Sequence, residues 1–330
     1  MESTGAQQLF FQHVKGLLPA HLSLVDEVAN VLGISNDSAY RRIRGEKPIT
    51  LEEIKKLCLQ FKISLDQLLH LNSDSVLFTG KLADKTNFSF ELYIKDFLYQ
   101  LQMINSFDDK ELYYWAKDLP IFYYYQFREL AAFKCFFWMR TVMEYPEFNK
   151  IKFKFEDFEE KLWVTGQQIL ETYNKIPSQE IWNVDNINTY IQQIEYYKDT
   201  NVFSSKQDII TLYECLEKMV DHIEDQAEAG YKFNRNAKGS AGAPIKIYVN
   251  EFIIGDNTVM AVINKKPMVY LNHSFINYSG TKDPVFCDYM FEYIQKLIRK
   301  STLVSSVSEK QRRSFFNPIR ETLLLRKNAV

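Results

Sequence analysis

The chain has 330 residues, 40 basic and 42 acidic, with a formal charge of −2 and 15% aromatic side chains. That length is too great for one compact core and fits two or three domains. No run approaches the roughly 18 apolar residues of a membrane span, and the start "MESTGAQQLFFQHVKG" lacks the basic-then-apolar layout of a signal peptide, so the sequence reads as cytoplasmic. The four cysteines, Cys58, Cys135, Cys215 and Cys287, lie far apart and read as small buried hydrophobes rather than metal or redox pairs. Charge is unevenly spread. Residues 1–72 balance 8 basic against 8 acidic side chains, residues 73–243 carry 19 against 27, and residues 296–330 carry 9 against 2. An acidic middle and a basic tail point to parts that are kept apart or paired in trans.

Residues 1–72 read as five short helices. "QQLFFQHVKGLL" gives the first. Helix starts follow at Ser23 (with Asp26 three on), Ser35, Thr50 (with Glu53) and Ser64 (with Gln67), in capping or capping-box arrangements. Gly33 and Gly45 stand where left-handed residues end helices. The second and third helices, joined at Gly33, have the helix-turn-helix pattern. The third, residues 35–44, is about 15 Å long and fits a major groove. Its only aliphatic residues, Ala39 and Ile43, form an i, i+4 pair that faces the core. Arg41 and Arg44 then project the opposite way with Asp37 beside them. Ser38 and Arg42 occupy one flank, and Asn36 and Tyr40 the other. Arginine is the side chain shaped to grip guanine O6 and N7 with two bonds. Tyr40, Arg42 and Lys47 are better placed for phosphates, which position without specifying.

The stretch "LVDEVANVLGISNDSAYRRIRGEKPITLEEIKKLCLQFKISLDQLL" resembles the Cro/CI (XRE-type) helix-turn-helix family. Val28-Ala29, Leu32-Gly33-Ile34-Ser35, Gly45, the "ITLEEIKKLC" helix and the "ISLDQLL" ending carry the resemblance, which covers residues 7–72. It implies a five-helix, lambda-repressor-like DNA-binding domain, with Asn36, Asp37, Arg41 and Arg44 in base-reading slots and Lys47 in the backbone-contacting loop. The expected DNA-contacting set is Ser35, Asn36, Asp37, Ser38, Tyr40, Arg41, Arg42, Arg44 and Lys47. Two departures stand out. Val25 replaces a common phosphate-binding glutamine, and Arg42-Ile43 replaces an aliphatic or Trp followed by Glu.

Residues 73–87 read as a linker, and residues 88–233 as a helical, aromatic regulatory and dimerisation domain. Within it, "DLPIFYYYQFRELAAFKCFFWMRTVM" reads as one buried central helix, and its tyrosines as core rather than as the lining of a groove. Further helices are expected at 155–174, 184–198 and 205–228. Residues 234–244 read as a flexible linker. "IKIYVNEFII", "TVMAVIN" and "MVYLNHSF" then alternate as strands of a meander, separated by Gly255-Asp256-Asn257 and Lys265-Lys266-Pro267. Helices close the chain, the last opening at Ser308, so residues 245–330 form an expected small α+β module. Its basic end has three readings: contact with DNA, contact with a partner's acidic domain, or a solvated face. The remainder of the chain is loosely similar to a group of bacterial regulators of this length, with "AKDLPIFYYYQFRELAAFK"-like and "KSTLVSSVSEKQRR"-like text.

No catalytic constellation, cofactor loop or metal spacing is read. "GSAGAP" lacks a preceding strand and a following lysine, and His13, His21, His70, His222 and His273 are isolated. The fold class is therefore mainly α with a small sheet. The function is expected to be sequence-specific transcriptional regulation of double-stranded DNA by a homodimer under control of a small-molecule or peptide effector, and not enzymatic. A protein-interaction module (antitoxin or scaffold) and a peptide or metabolite receptor are the alternatives.

Overall fold

The structure is a computed structural model that describes residues 5–18, 22–61, 63–69, 75–80, 89–235, 241–251, 257–273, 277–306 and 309–330. The chain divides into two compact units, Met1–Leu77 and Phe78–Val330.

The first unit contains α1 (Ala6–Leu17), α2 (Leu24–Leu32), α3 (Asn36–Ile43), α4 (Leu51–Phe61) and α5 (Leu65–Leu69). The helices begin where polar caps satisfy free N–H groups. The Ser23 and Ser35 hydroxyls accept from the Asp26 and Ser38 amides, and Thr50 and Glu53 exchange bonds in a capping box. Each such cap stabilises by about 1 kcal/mol. One apolar core joins the helices: Phe10, Phe11 and Val14 of α1, Val28, Ala29 and Leu32 of α2, Ala39 of α3 and Leu57 of α4, with Ile63 beyond α4. Full burial of each larger side chain contributes about 1.5–3 kcal/mol. The Gln67 side chain of the fourth expected capping pair lies outside the described residues.

The second unit is built on a seven-stranded mixed sheet. Its helices are α6 (Phe90–Asn105), α7 (Ile121–Tyr124), α8 (Arg128–Phe137), α9 (Glu160–Tyr173), α10 (Asp185–Asp199), α11 (Lys206–Ala229), α12 (Pro284–Arg299) and α13 (Glu309–Asn328). Its strands are β1 (Lys110–Trp115), β2 (Ser178–Trp182), β3 (Ile245–Val249), β4 (Thr258–Ile263), β5 (Lys266–Asn272), β6 (Tyr278–Thr281) and β7 (Thr302–Leu303). The spatial order is β6-β5-β4-β1-β2-β3-β7. β1, β2 and β3 run parallel, and the flanking pairs are antiparallel. Strand alternation sends Leu112 and Tyr114 into a large aromatic core on one face and Tyr113 and Trp115 into a smaller core under α12 on the other.

Several expectations change here. Residues 88–233 are not purely helical, because they supply β1 and β2, the middle of the sheet. Residues 245–330 are not a separate module, because β3 pairs with β2 and β4 with β1. Of the expected meander only β4 and β5 are neighbours: β1 and β2 separate β3 from β4, and β6, which no expected run covers, continues the antiparallel series beyond β5. The β4–β5 turn falls at Asn264-Lys265, both with positive φ, one residue before the expected break. Gly255-Asp256 and Ser308 lie outside the described residues, as do 73–74 and 81–87 of the expected linker. Thr79 within that linker exchanges backbone bonds of 2.8 Å with Gly280 beside β5. The "PIFYYYQF" run is core, as its composition indicates, but its helix breaks: Phe127 is extended between α7 and α8, and α8 ends in a π turn over Trp138–Val142.

The basic tail meets the acidic middle within one chain. Arg320 on α13 bonds Asp221 and Glu224 of α11, and Lys327 bonds Glu217 at 2.6 Å. The charge split of the sequence is thus in part a helix-to-helix match.

Candidate nucleic-acid interface

Gly33 ends α2 in the left-handed conformation, φ +67°, and the Ile34 amide bonds back to the Ala29 carbonyl. Ser35 then caps α3. Gly45 takes φ +78° just past α3, and the Arg41 carbonyl accepts from both Glu46 and Lys47 amides. A Cβ is strained at both glycines, which is why they bracket the segment.

The faces of α3 divide as its 3.6-residue period requires. Ala39 is fully buried and Ile43 packs half-buried on the core. Asn36, Asp37, Tyr40, Arg41 and Arg44 are exposed along the opposite arc, with Lys47 exposed in the following loop. Arg44 lies over the Tyr40 ring, 5.5 Å from its centroid, and pairs with Glu46 at 3.3 Å. Both partners of that pair are largely exposed, so it is worth little and releases easily. The Asn36 amide donates to Asp26 Oδ1 at 2.8 Å, a link between α2 and α3. Ser35 is the cap and donates to the Ser38 hydroxyl at 3.1 Å. Val25 packs against the core, in line with its failure to supply a phosphate ligand.

Arg42 is different. It is 6% exposed. Its Nη2 and Nε bond the two Glu53 oxygens at 2.7 and 3.1 Å, and its Nη1 bonds the Ser38 carbonyl at 3.0 Å. A guanidinium spent on a half-buried carboxylate is not available to a phosphate, so the expected phosphate role of Arg42 is corrected to a structural one. The Arg42 bond, opposed by burial and helped by the Thr50 amide, holds the Glu53 carboxyl below its ordinary range. The signal was present in the spacing: Arg42 follows Ala39 by three and precedes Ile43 by one, on the buried stripe.

Sequence reasoning missed Gln7. From α1, its Nε2 donates to the Arg42 and Lys47 carbonyls at 2.7 and 2.8 Å, and its Oε1 accepts from the Ile49 amide at 3.1 Å. One side chain thereby pins the exit of α3 and the loop carrying Lys47. Its role depends on contacts 35 to 42 residues away, which no local pattern encodes.

The comparison with protein families falls on this same region. Residues 9–86 match the BetR domain. That is a helix-turn-helix-like DNA-binding family, and the matched segment covers all of α2, α3, α4 and α5, with the exposed arc of α3 inside it. No curated protein and no solved structure matches the chain.

In the second unit, the buried Glu180 and Lys232 are both engaged. Glu180, 1% exposed, accepts from Tyr123 at 3.0 Å, Ser178 at 3.1 Å, Trp182 at 2.9 Å and also Tyr173. Burial raises the Tyr123 and Tyr173 hydroxyls well above their usual range, which keeps them protonated donors. Lys232 donates to the Tyr173 and Ile176 carbonyls, 3.2 and 2.7 Å away, and burial pushes its ammonium down to about 7. A cleft of about 370 Å³ between α11 and α13 is lined by charged side chains, among them Glu224, Glu228, Arg313 and Arg320, unlike the apolar pocket typical of small-molecule sites. Among the described residues no cluster of His, Cys, Asp and Glu is placed to hold a metal, and no helix is long and apolar enough to cross a membrane.

Proposed function

We propose that the protein is a cytoplasmic, non-enzymatic transcriptional regulator whose α3, in a Cro/CI-type arrangement, reads the DNA major groove. The observation that carries this is the outward arc Asn36–Asp37–Tyr40–Arg41–Arg44 on a short capped helix inside a BetR match. Arg41 and Arg44 suit guanine, and Asp37 suits the amino group of cytosine. Tyr40 and Lys47 serve phosphates, and Ser35 and Ser38 order the start of α3 at the groove edge. Glu46 and Tyr40 hold Arg44 ready in the free protein and give it up at small cost.

One such unit makes few phosphate contacts, so tight binding calls for a homodimer on two half-sites about one helical turn apart. The second unit carries the dimer contact and the effector control, with a small molecule or peptide as the controlling ligand. Titration of DNA binding against salt tests the reading. Arg41→Ala relaxes base preference at one position, at a cost of about 1–3 kcal/mol, while Lys47→Ala lowers affinity for all sequences and reduces the salt slope by about 1. A loss that is equal across sequences for Arg41→Ala removes the base-reading role.

A further inference from the structure

We propose that the outer face of α12 is the surface through which two copies of this chain associate, antiparallel, about a two-fold axis. The proposal deepens the dimer part of the function above and rests on that reading for the need of a two-fold.

The inner side of α12 is committed. Phe286, Cys287, Met290, Phe291, Ile294, Leu297 and Ile298 pack on the sheet face opposite the large core, and among the described residues no other helix contributes to that cluster. The outer side carries Val285, Tyr289 and Tyr293 at successive i, i+4 positions, 80%, 63% and 43% exposed. The rim residues Asp288, Glu292, Lys296, Arg299 and Lys300 are exposed as well. At about 100° per residue all eight fall within an arc of about 140°, one face of the helix.

The order of the charges selects the partner. Both carboxylates lie in the N-terminal half of this face and all three cations in the C-terminal part. A second α12 laid parallel sets like charges together. Laid antiparallel about a two-fold that crosses the outer face at the level of Tyr293, it brings Glu292 beside Lys296 of the other copy and Asp288 beside Arg299, each contact occurring twice. That self-complementarity is what an isologous two-fold interface requires. It also sets Tyr289 near the opposing Lys300, a favourable cation–aromatic neighbour. Val285, Glu292 and Lys296 lie at the centre of the face, and the tyrosines lie along one flank, where the Tyr293 ring also meets Trp115 edge-on at 6.4 Å; an apolar and aromatic surface crossed by complementary charges suits a protein interface. The polarity of the rest of α12 fits too: Asp283 caps its start and Lys296 and Arg299 occupy its last turn.

The test is sedimentation equilibrium of the full chain without DNA, at about 50 µM, where a micromolar dimer is populated. The samples are wild type, Glu292→Lys, Lys296→Glu, an equimolar mixture of these two, and the double variant. All substitutions are at exposed positions, and circular dichroism checks folding. Wild type is expected to be a dimer, and each single variant to weaken association by about tenfold or more, because it faces a like charge twice. The mixture and the double variant, in which opposite charges face each other again, are expected to restore it. A monomeric wild type, single variants that dimerise as wild type, or failure of the mixture to recover would overturn the proposal. Because DNA is absent throughout, this outcome is separate from the base-reading role of α3.

Discussion

Arg42 on α3 and Glu53 on α4 are joined by two charge-assisted bonds of 2.7 and 3.1 Å. The pair ties the helix proposed to read DNA to the helix behind it. Glu53 also closes the capping box that starts α4. One carboxylate therefore fixes both the angle of α3 and the register of α4.

Removal of Arg42 leaves Glu53 half-buried without its main partner. Arg42→Ala is expected to destabilise the first unit by about 2 kcal/mol, toward the lower side of buried-pair losses because Glu53 retains some solvent. Hydrogen exchange at α3 and α4 amides in the full chain measures the loss. Measured on folded protein, the salt slope of DNA binding is expected to stay at the wild-type value, since the Arg42 guanidinium is held by Glu53 and the Ser38 carbonyl. A slope reduced by about 1 would return Arg42 to the phosphate-contacting set.

The same pair sets an acid dependence. Glu53 binds its proton less tightly in the folded state than in the unfolded one. Its stabilisation is therefore complete above the ordinary carboxylate pKa and is lost as pH falls through the lowered folded value. Denaturation of the first unit followed from neutral to acid pH should show stability falling with pH, and Arg42→Ala should make that fall shallower. An unchanged acid profile in the variant would assign the effect to other carboxylates.

Gln7 offers a test of positioning without contact. Gln7→Ala removes three bonds to the backbone at Arg42, Lys47 and Ile49, at a cost of about 1–3 kcal/mol. DNA affinity is expected to fall while base preference is retained, because the Lys47 loop loosens and the outer arc of α3 is intact. A shift of preferred bases in a competition assay would mean that α3 itself has moved.

In the second unit, Gly166 on α9 faces the buried Tyr125 ring, and a Cβ there would lie 2.0 Å from a ring carbon. Tyr125 is 2% exposed, so its ring must displace core neighbours to make way. Gly166→Ala is expected to lower stability by about 1–3 kcal/mol or more despite the better helix propensity of Ala. Thermal unfolding followed by tyrosine and tryptophan fluorescence reports it, and an unchanged midpoint would show that the ring can move aside.

What was legible in the sequence follows from the range of the forces involved. Caps, left-handed glycines and the Ala39–Ile43 pair act within one or two turns, so α2, α3 and α4 emerge from local patterns. The central strands β1 and β2 did not. "KELYYW" and "SQEIW" are short and are buried on both faces, and such strands lack the alternation that marks a half-exposed one. Their partners also lie far off: Leu112 pairs with Ser178 on one side and Ala261 on the other. Arg42 looks like a surface cation by charge alone, and only its place on the buried stripe beside Ala39 and Ile43 marks it as structural. Gln7 carried no local signal at all.

The most direct measurement is selection of bound sites from random double-stranded DNA with wild type, Arg41→Ala and Arg44→Ala. If α3 reads the groove, wild type enriches a defined motif arranged as two inverted half-sites, and each variant loses preference at its own position while the rest of the motif survives. A wild-type pool with no enriched motif, or variants that enrich the full wild-type motif, would contradict recognition by the outer face of α3.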